Sequence, residues 1–140
     1  MAVIATDTQR LSNLVKVWGY VNNPELHVDL VTCNEASQTT YVVGTVLGKI
    51  TASGKYIVSK QAAVDGSQLP VAVVIGDSTG FAQSVVVAAT TDTPILAITR
   101  GACVLSLNQI ALDATFSSGA QKLVAYNSLK AANILLENTI

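Results

Sequence analysis

Gly44-Thr45-Val46-Leu47-Gly48-Lys49-Ile50-Thr51-Ala52-Ser53-Gly54-Lys55-Tyr56-Ile57-Val58 holds a strand, a turn and a returning strand in one short stretch. Val46 to Ile50 is largely β-branched and aliphatic, which suits a pleated surface. Thr51-Ala52-Ser53-Gly54 supplies the turn, and Lys55 to Val58 runs back. A hairpin is predicted, with Gly48 and Gly54 permitting bends in it. The glycines echo a phosphate-binding loop, but that motif needs Gly, four residues, then Gly-Lys-Ser/Thr at the start of a helix. Here the glycine spacing is wrong and Ile50 stands where the hydroxyl should be.

The texture on both sides of the hairpin is also β. Upstream, His27-Val28-Asp29-Leu30-Val31 alternates, and so does Tyr41-Val42-Val43. Downstream, Asp65-Gly66-Ser67-Gln68 is a turn, with Asp65 set to cap it. Pro70 to Ile75 is an apolar run short enough for a buried strand, broken by Gly76-Asp77-Ser78-Thr79-Gly80. Ser84 to Ala89, Ile95 to Ile98 and Ala102 to Leu105 read as further strands. Near the end the period changes. Leu123, Tyr126 and Leu129-Lys130 recur at helical spacing, which predicts a helix over about 120–132 with Ser118 as N-cap. Ile134 to Leu136 reads as a last short strand. The predicted fold class is mainly β: a small barrel-like domain over 24–140 with one C-terminal helix.

Residues 1–23 form a separate segment. Leu11, Leu14, Val15 and Trp18 fall at i, i+3, i+4 and i+7, a helical stripe. Val15, Val17 and Val21 also fit an extended reading. Asn22-Asn23-Pro24 separates the segment from the β-rich remainder of the chain. Either it packs on its own domain or it is an arm reaching a partner. In the second reading Leu11, Leu14, Val15, Trp18 and Tyr20 are the contact residues.

Composition narrows the function. Half the residues are apolar but only 12% are charged, about half the usual ~25%. A small domain has much surface to cover, and so few charges imply that other protein covers part of it. Net charge is −1 and no two basic residues are adjacent, so no basic patch for nucleic acid is visible. No apolar run approaches the ~20 residues of a membrane span. The first residues lack the basic region of a secretory signal. Two cysteines and one histidine at these spacings make no metal quartet. Cys33 and Cys103 are expected as reduced core residues of a protein made in cytoplasm.

No catalytic set is legible. His27 and Asp29 share a strand face and could pair, but no nucleophile accompanies them. Neither cysteine carries a nucleophile signature. No enzyme activity, cofactor, metal or small-molecule substrate is expected.

The stretch Gly44–Tyr56 resembles the opening motif of the lambda-type phage head decoration protein family, written G-x-V-L-G-K-I-T-x-x-G-K-Y. Asp65-Gly66-Ser67-Gln68, then an apolar strand and Asp77, is similar to the family's next block. Thr99-Arg100-Gly101-Ala102 with Asn108 and Leu112 is similar to a later one. Leu129 to Leu136 resembles the closing helix and strand. The four blocks fall in order from His27 to the C-terminus. Gly44, Val46, Leu47, Gly48, Lys49, Gly54, Asp65, Gly66, Arg100 and Gly101 carry the resemblance as structural residues. The family often has Gly where Asn133 stands, and Asn too tolerates left-handed backbone.

The resemblance implies a β-clip fold assembled as a homotrimer. It implies binding to the major capsid protein on the outer surface of the virion, at three-fold and quasi-three-fold positions of an expanded head. Such trimers bridge capsid proteins against the pressure of packaged DNA, and residues 1–23 would be a capsid-binding arm. Other readings are a different virion component, such as a spike base or tail tube, or a non-catalytic β-barrel binding module. The second would favour clustered aromatics, and the seven here are dispersed.

Overall fold

A computed structural model describes residues 27–101 and 103–137. These residues are mainly β, with a single α-helix near the C-terminal end, as the sequence predicts. The strands are β1 (Val28–Cys33), β2 (Thr39–Val42), β3 (Val46–Lys49), β4 (Tyr56–Val58), β5 (Pro70–Asp77), β6 (Gly80–Phe81), β7 (Ser84–Val87), β8 (Thr93–Ile98), β9 (Cys103–Ser106) and β10 (Ile134–Glu137). The helix, α1, spans Gly119–Ala131.

The predicted hairpin forms. In β3 and β4, Leu47 pairs with Val58, Gly48 with Ile57 and Lys49 with Tyr56. The Gly54 N–H donates to the Ile50 carbonyl at 2.8 Å, and Gly54 takes φ 73°, which a glycine adopts without steric cost. The hairpin is one segment of a ring. The strands run β3-β4-β1-β8-β5, and a further pairing of β3 with β5 closes the circuit. The domain is therefore barrel-like, and closure removes most of its free edges. The seam between β1 and β4 is narrow: one parallel pair, Cys33 with Tyr56, and one bond from the Asn34 N–H to the Tyr56 carbonyl at 3.2 Å. Two small ribbons complete the fold, β2 antiparallel to β7 and β9 parallel to β10.

Two hydrophobic cores lie on opposite faces of the ring. Inside it, Val31, Cys33, Leu47, Ala72, Val74, Ile95 and Ala97 pack with Tyr41 and Val87 of the β2–β7 ribbon. Outside it, Val46, Val73, Ile75 and Ile98 pack beneath Leu129 of α1 and Cys103, Leu105 and Ile134 of the β9–β10 ribbon. Alternate residues of β5 serve the two cores, which explains why its sequence is an unbroken apolar run.

Three expectations need correcting. The strand begun at Pro70 does not break at Gly76 but continues to Asp77. Gly76 pairs with both Leu96 and Phe81, and a β-carbon there would stand 2.0 Å from the Gly80 carbonyl oxygen. Gly48 likewise marks a close approach more than a simple bend. It sits at a register shift against β5, where a β-carbon would meet the Ser67 carbonyl oxygen at 2.0 Å. In α1 the buried residues are Ala125 and Leu129, and Leu123 of the predicted stripe is exposed.

The helix ends follow the sequence. The Ser118 hydroxyl accepts from the Gln121 N–H at 3.2 Å, and Gln121 Oε1 accepts from the Ser118 N–H at 3.1 Å, a reciprocal capping box. Asn133, at φ 62°, turns the chain out of α1 into β10.

Candidate functional site

The motif residues gather at two junctions. At the first, the turn at Asp65-Gly66 is clamped to the hairpin. The Thr51 N–H donates to the Asp65 carbonyl at 2.9 Å, and the Ser59 hydroxyl donates to the Ser67 carbonyl at 2.7 Å. Gly66, at φ 103°, lies against Thr51, where a β-carbon would stand 2.2 Å from its hydroxyl oxygen. Asp65 caps its own turn, accepting from the Ser67 N–H at 3.0 Å and from its hydroxyl at 2.5 Å. These bonds hold its carboxyl below the usual range. Val46 and Leu47 are buried in the two cores, while Lys49 lies over the Tyr56 ring at 5.8 Å. Gly44, at φ 98°, abuts the chain near residues 109–111, and its carbonyl accepts from the Ala111 N–H at 2.9 Å.

At the second junction, Arg100 and Gly101 join the ring to the helical half. The Gly101 N–H donates to the Ala132 carbonyl at 2.9 Å. Arg100 forks onto Asp29, with Nη1 at 2.5 Å and Nη2 at 3.2 Å from its two oxygens, and the Thr99 hydroxyl donates to the same carboxylate at 2.8 Å. The Arg100 bonds, then that of Thr99, hold the Asp29 carboxyl below its ordinary value. Asp29 therefore serves Arg100 and not His27. His27 is buried, and its Nδ1 has no hydrogen-bond partner among the described residues.

A third polar cluster, not foreseen from the sequence, lies inside the ring. Glu35 is buried, and its Oε2 accepts a short bond from the Tyr41 hydroxyl and another from the Val58 N–H at 2.8 Å. Its backbone carbonyl accepts from the Thr90 N–H at 2.7 Å. One residue thus ties β2, β4 and the exit of β7 together. Burial pushes the Tyr41 phenol well above its ordinary value. In the sequence, only a lone acidic residue in a polar loop, Asn34-Glu35-Ala36-Ser37, marks the place.

This arrangement builds shape more than chemistry. Cys33 and Cys103 are free and buried, one in each core. Burial pushes their thiols up to about 12 and about 11, so neither is a ready thiolate. Among the described residues no group of three or more His, Cys, Asp or Glu is placed to hold a metal ion. No helix among them is long and apolar enough to cross a membrane.

The surface is more telling. Leu30, Val64, Leu69, Phe81, Val86, Leu123, Val124 and Leu135 are large, apolar and exposed. The sequence signal for part of this was the pair Leu123-Val124, too wide for one buried stripe. The candidate arm residues Leu11, Leu14, Val15, Trp18 and Tyr20 lie outside the described residues.

No curated protein and no solved structure matches the chain. A family model, that of the bacteriophage lambda head decoration protein D, matches residues 16–134. The match begins upstream of His27, where the sequence resemblance started, and takes in part of the N-terminal segment. It spans the first three motif blocks, both junctions and all but the last two residues of the fourth, and it ends at the first residue of β10. The chain belongs to the bacteriophage lambda head decoration protein D family.

Proposed function

We propose that this decoration protein acts as a homotrimer on the outer surface of the virion. It binds the major capsid protein at three-fold and quasi-three-fold positions, bridges neighbouring copies and stabilises the expanded, DNA-filled head. The role is structural and without catalysis. The family match over residues 16–134 carries this reading. A charge-poor chain with many exposed apolar side chains supports assembly with other protein. Residues 1–23 act as the arm that engages the capsid, with Leu11, Leu14, Val15, Trp18 and Tyr20 in contact. The protein is made in the host cytoplasm and ends in the virion, with no nucleic acid, membrane or small-molecule partner.

The test uses expanded heads stripped of decoration. The protein should co-sediment with them to a fixed stoichiometry, run as a trimer by native mass spectrometry, and raise the heads' resistance to rupture. A protein that is monomeric both free and on heads, or that leaves their resistance unchanged, refutes the reading.

A further inference from the structure

We propose that the groove between α1 and the β4–β5 loop is the face through which one copy grips the next. The inference rests on the trimeric reading above and locates its contact. The groove has a volume of about 340 Å³ and is lined by the apolar Leu69, Phe116 and Val124 and by three uncharged amides, Gln61, Gln68 and Gln121. Phe116 is buried, while Val124 is 58% and Leu69 47% exposed. Next along the helix, Leu123 is 58% exposed, and in the loop that forms the other wall Val64 is 95% exposed. Of the eight large hydrophobic residues exposed among the described residues, four belong to this loop and this helix. Singly scattered apolar residues need no explanation, but a cluster around a concave site does.

Three observations favour a second copy as the occupant. First, the same loop supplies both a projecting apolar side chain, Val64, and one wall of an apolar recess. A molecule that carries both a knob and a hole can pack head to tail, and such contacts can close into rings. Second, no charged side chain lines the groove, and charge depletion marks the core of interfaces between copies. Third, the charges that flank Val64 in the loop, Lys60 and Asp65, are of opposite sign. A loop that carries one charge of each sign offers nothing to a single-sign partner surface, and its balance of charge suits the uncharged groove of another copy.

The experiment uses the full chain with substitutions at exposed positions, where the fold has nothing to lose. Val64→Asp, Val124→Glu and Leu123→Glu are compared with Leu30→Glu, an exposed apolar residue on β1. Assembly is read by native mass spectrometry and sedimentation, folding by circular dichroism, and head binding by co-sedimentation. The groove variants should stay folded and need at least about tenfold more protein to reach half-assembly, as for loss of an interface anchor, with Leu30→Glu unchanged. Folded groove variants that remain trimers at the wild-type concentration overturn the proposal. If they stay trimeric and lose head binding, the groove belongs to the capsid, which also overturns it. A wild-type chain monomeric both free and on heads removes the trimer itself, a failure separable from that of the groove.

Discussion

A β-carbon placed on Gly101 would stand 1.7 Å from the carbonyl oxygen of Asn133, so the backbone entering β9 and the backbone leaving α1 are in direct contact. Asn133 makes the turn with a positive φ of 62°. The two residues fix how the helical half meets the ring. Gly101→Ala should lower the unfolding free energy by about 1–3 kcal/mol, as overpacking does. Asn133→Gly should be tolerated within about 1 kcal/mol, because glycine adopts this φ freely. Urea unfolding of both variants checks the pair, and equal losses would remove the close approach as the cause.

The Glu35–Tyr41 bond gives a second expectation. Tyr41→Phe keeps the ring in the core and deletes the hydroxyl that donates to a buried carboxylate. The cost should be about 1–3 kcal/mol, since among the described residues the carboxylate then keeps only its bond from the Val58 N–H. Thr39→Ala, whose hydroxyl bonds only the nearby Ser37 carbonyl at the surface, should cost much less. A Tyr41→Phe protein as stable as the wild type would show that the buried bond contributes nothing.

Alkaline pH should destabilise the protein through its buried thiols. The folded state holds Cys33 at about 12 and Cys103 at about 11, both raised from 9.0 by burial, and Tyr41 is raised as well. A raised pKa stabilises the fold below the unfolded value and is lost as pH climbs toward the folded one. Stability should therefore be flat from pH 7 to about 8.5. It should then fall, with each buried thiol contributing up to about 1.4 kcal/mol per pH unit. Denaturant midpoints across this range measure it, and Cys103→Ala should flatten the descent. A midpoint unchanged to pH 11 would contradict the burial of both thiols.

Deleting residues 2–18 tests the arm. The truncated chain should remain a folded trimer and bind heads weakly or not at all. Ordering an arm costs about 1–2 kcal/mol of backbone entropy per residue, so a few buried anchors must offset it. Trp18→Ala alone should weaken head binding by at least about 2 kcal/mol, roughly 30-fold. Full decoration by the truncated protein at unchanged affinity would sink the arm, and loss of the fold would assign the segment to the protein's own core.

Local features were legible in the sequence and long-range ones were not. The hairpin at Gly54, the cap at Ser118 and the left-handed Asn133 are each decided by residues within a few positions, so their chemistry could be read directly. A barrel-like shape was expected, but the pairings that close the ring were not, because β3 meets β5 and β1 meets β8 through contacts that no local pattern specifies. The helix shows the same limit: its period was right, but the choice of Leu129 over Leu123 as the buried residue depends on what lies beneath. The exposed groove was hidden for that reason too. Apolar side chains in a sequence look like core until the structure leaves them outside. Asp29 shows the converse, since its nearest candidate in sequence was His27, and its true partner is Arg100, 71 residues away.

The pairing of β1 with β8 also sets a schedule for synthesis. Asp29 reaches Thr99 across 70 residues, and among the described residues β1 has no other full-length neighbour. At roughly 5–20 residues per second, its partner emerges from the ribosome several seconds after β1 does. Until then Val31 and Cys33 wait uncovered, and the barrel can close only once most of the domain has left the exit tunnel. Folding is thus an event of the finished chain, and a nascent fragment that ends before Thr93 should not acquire a protease-resistant core.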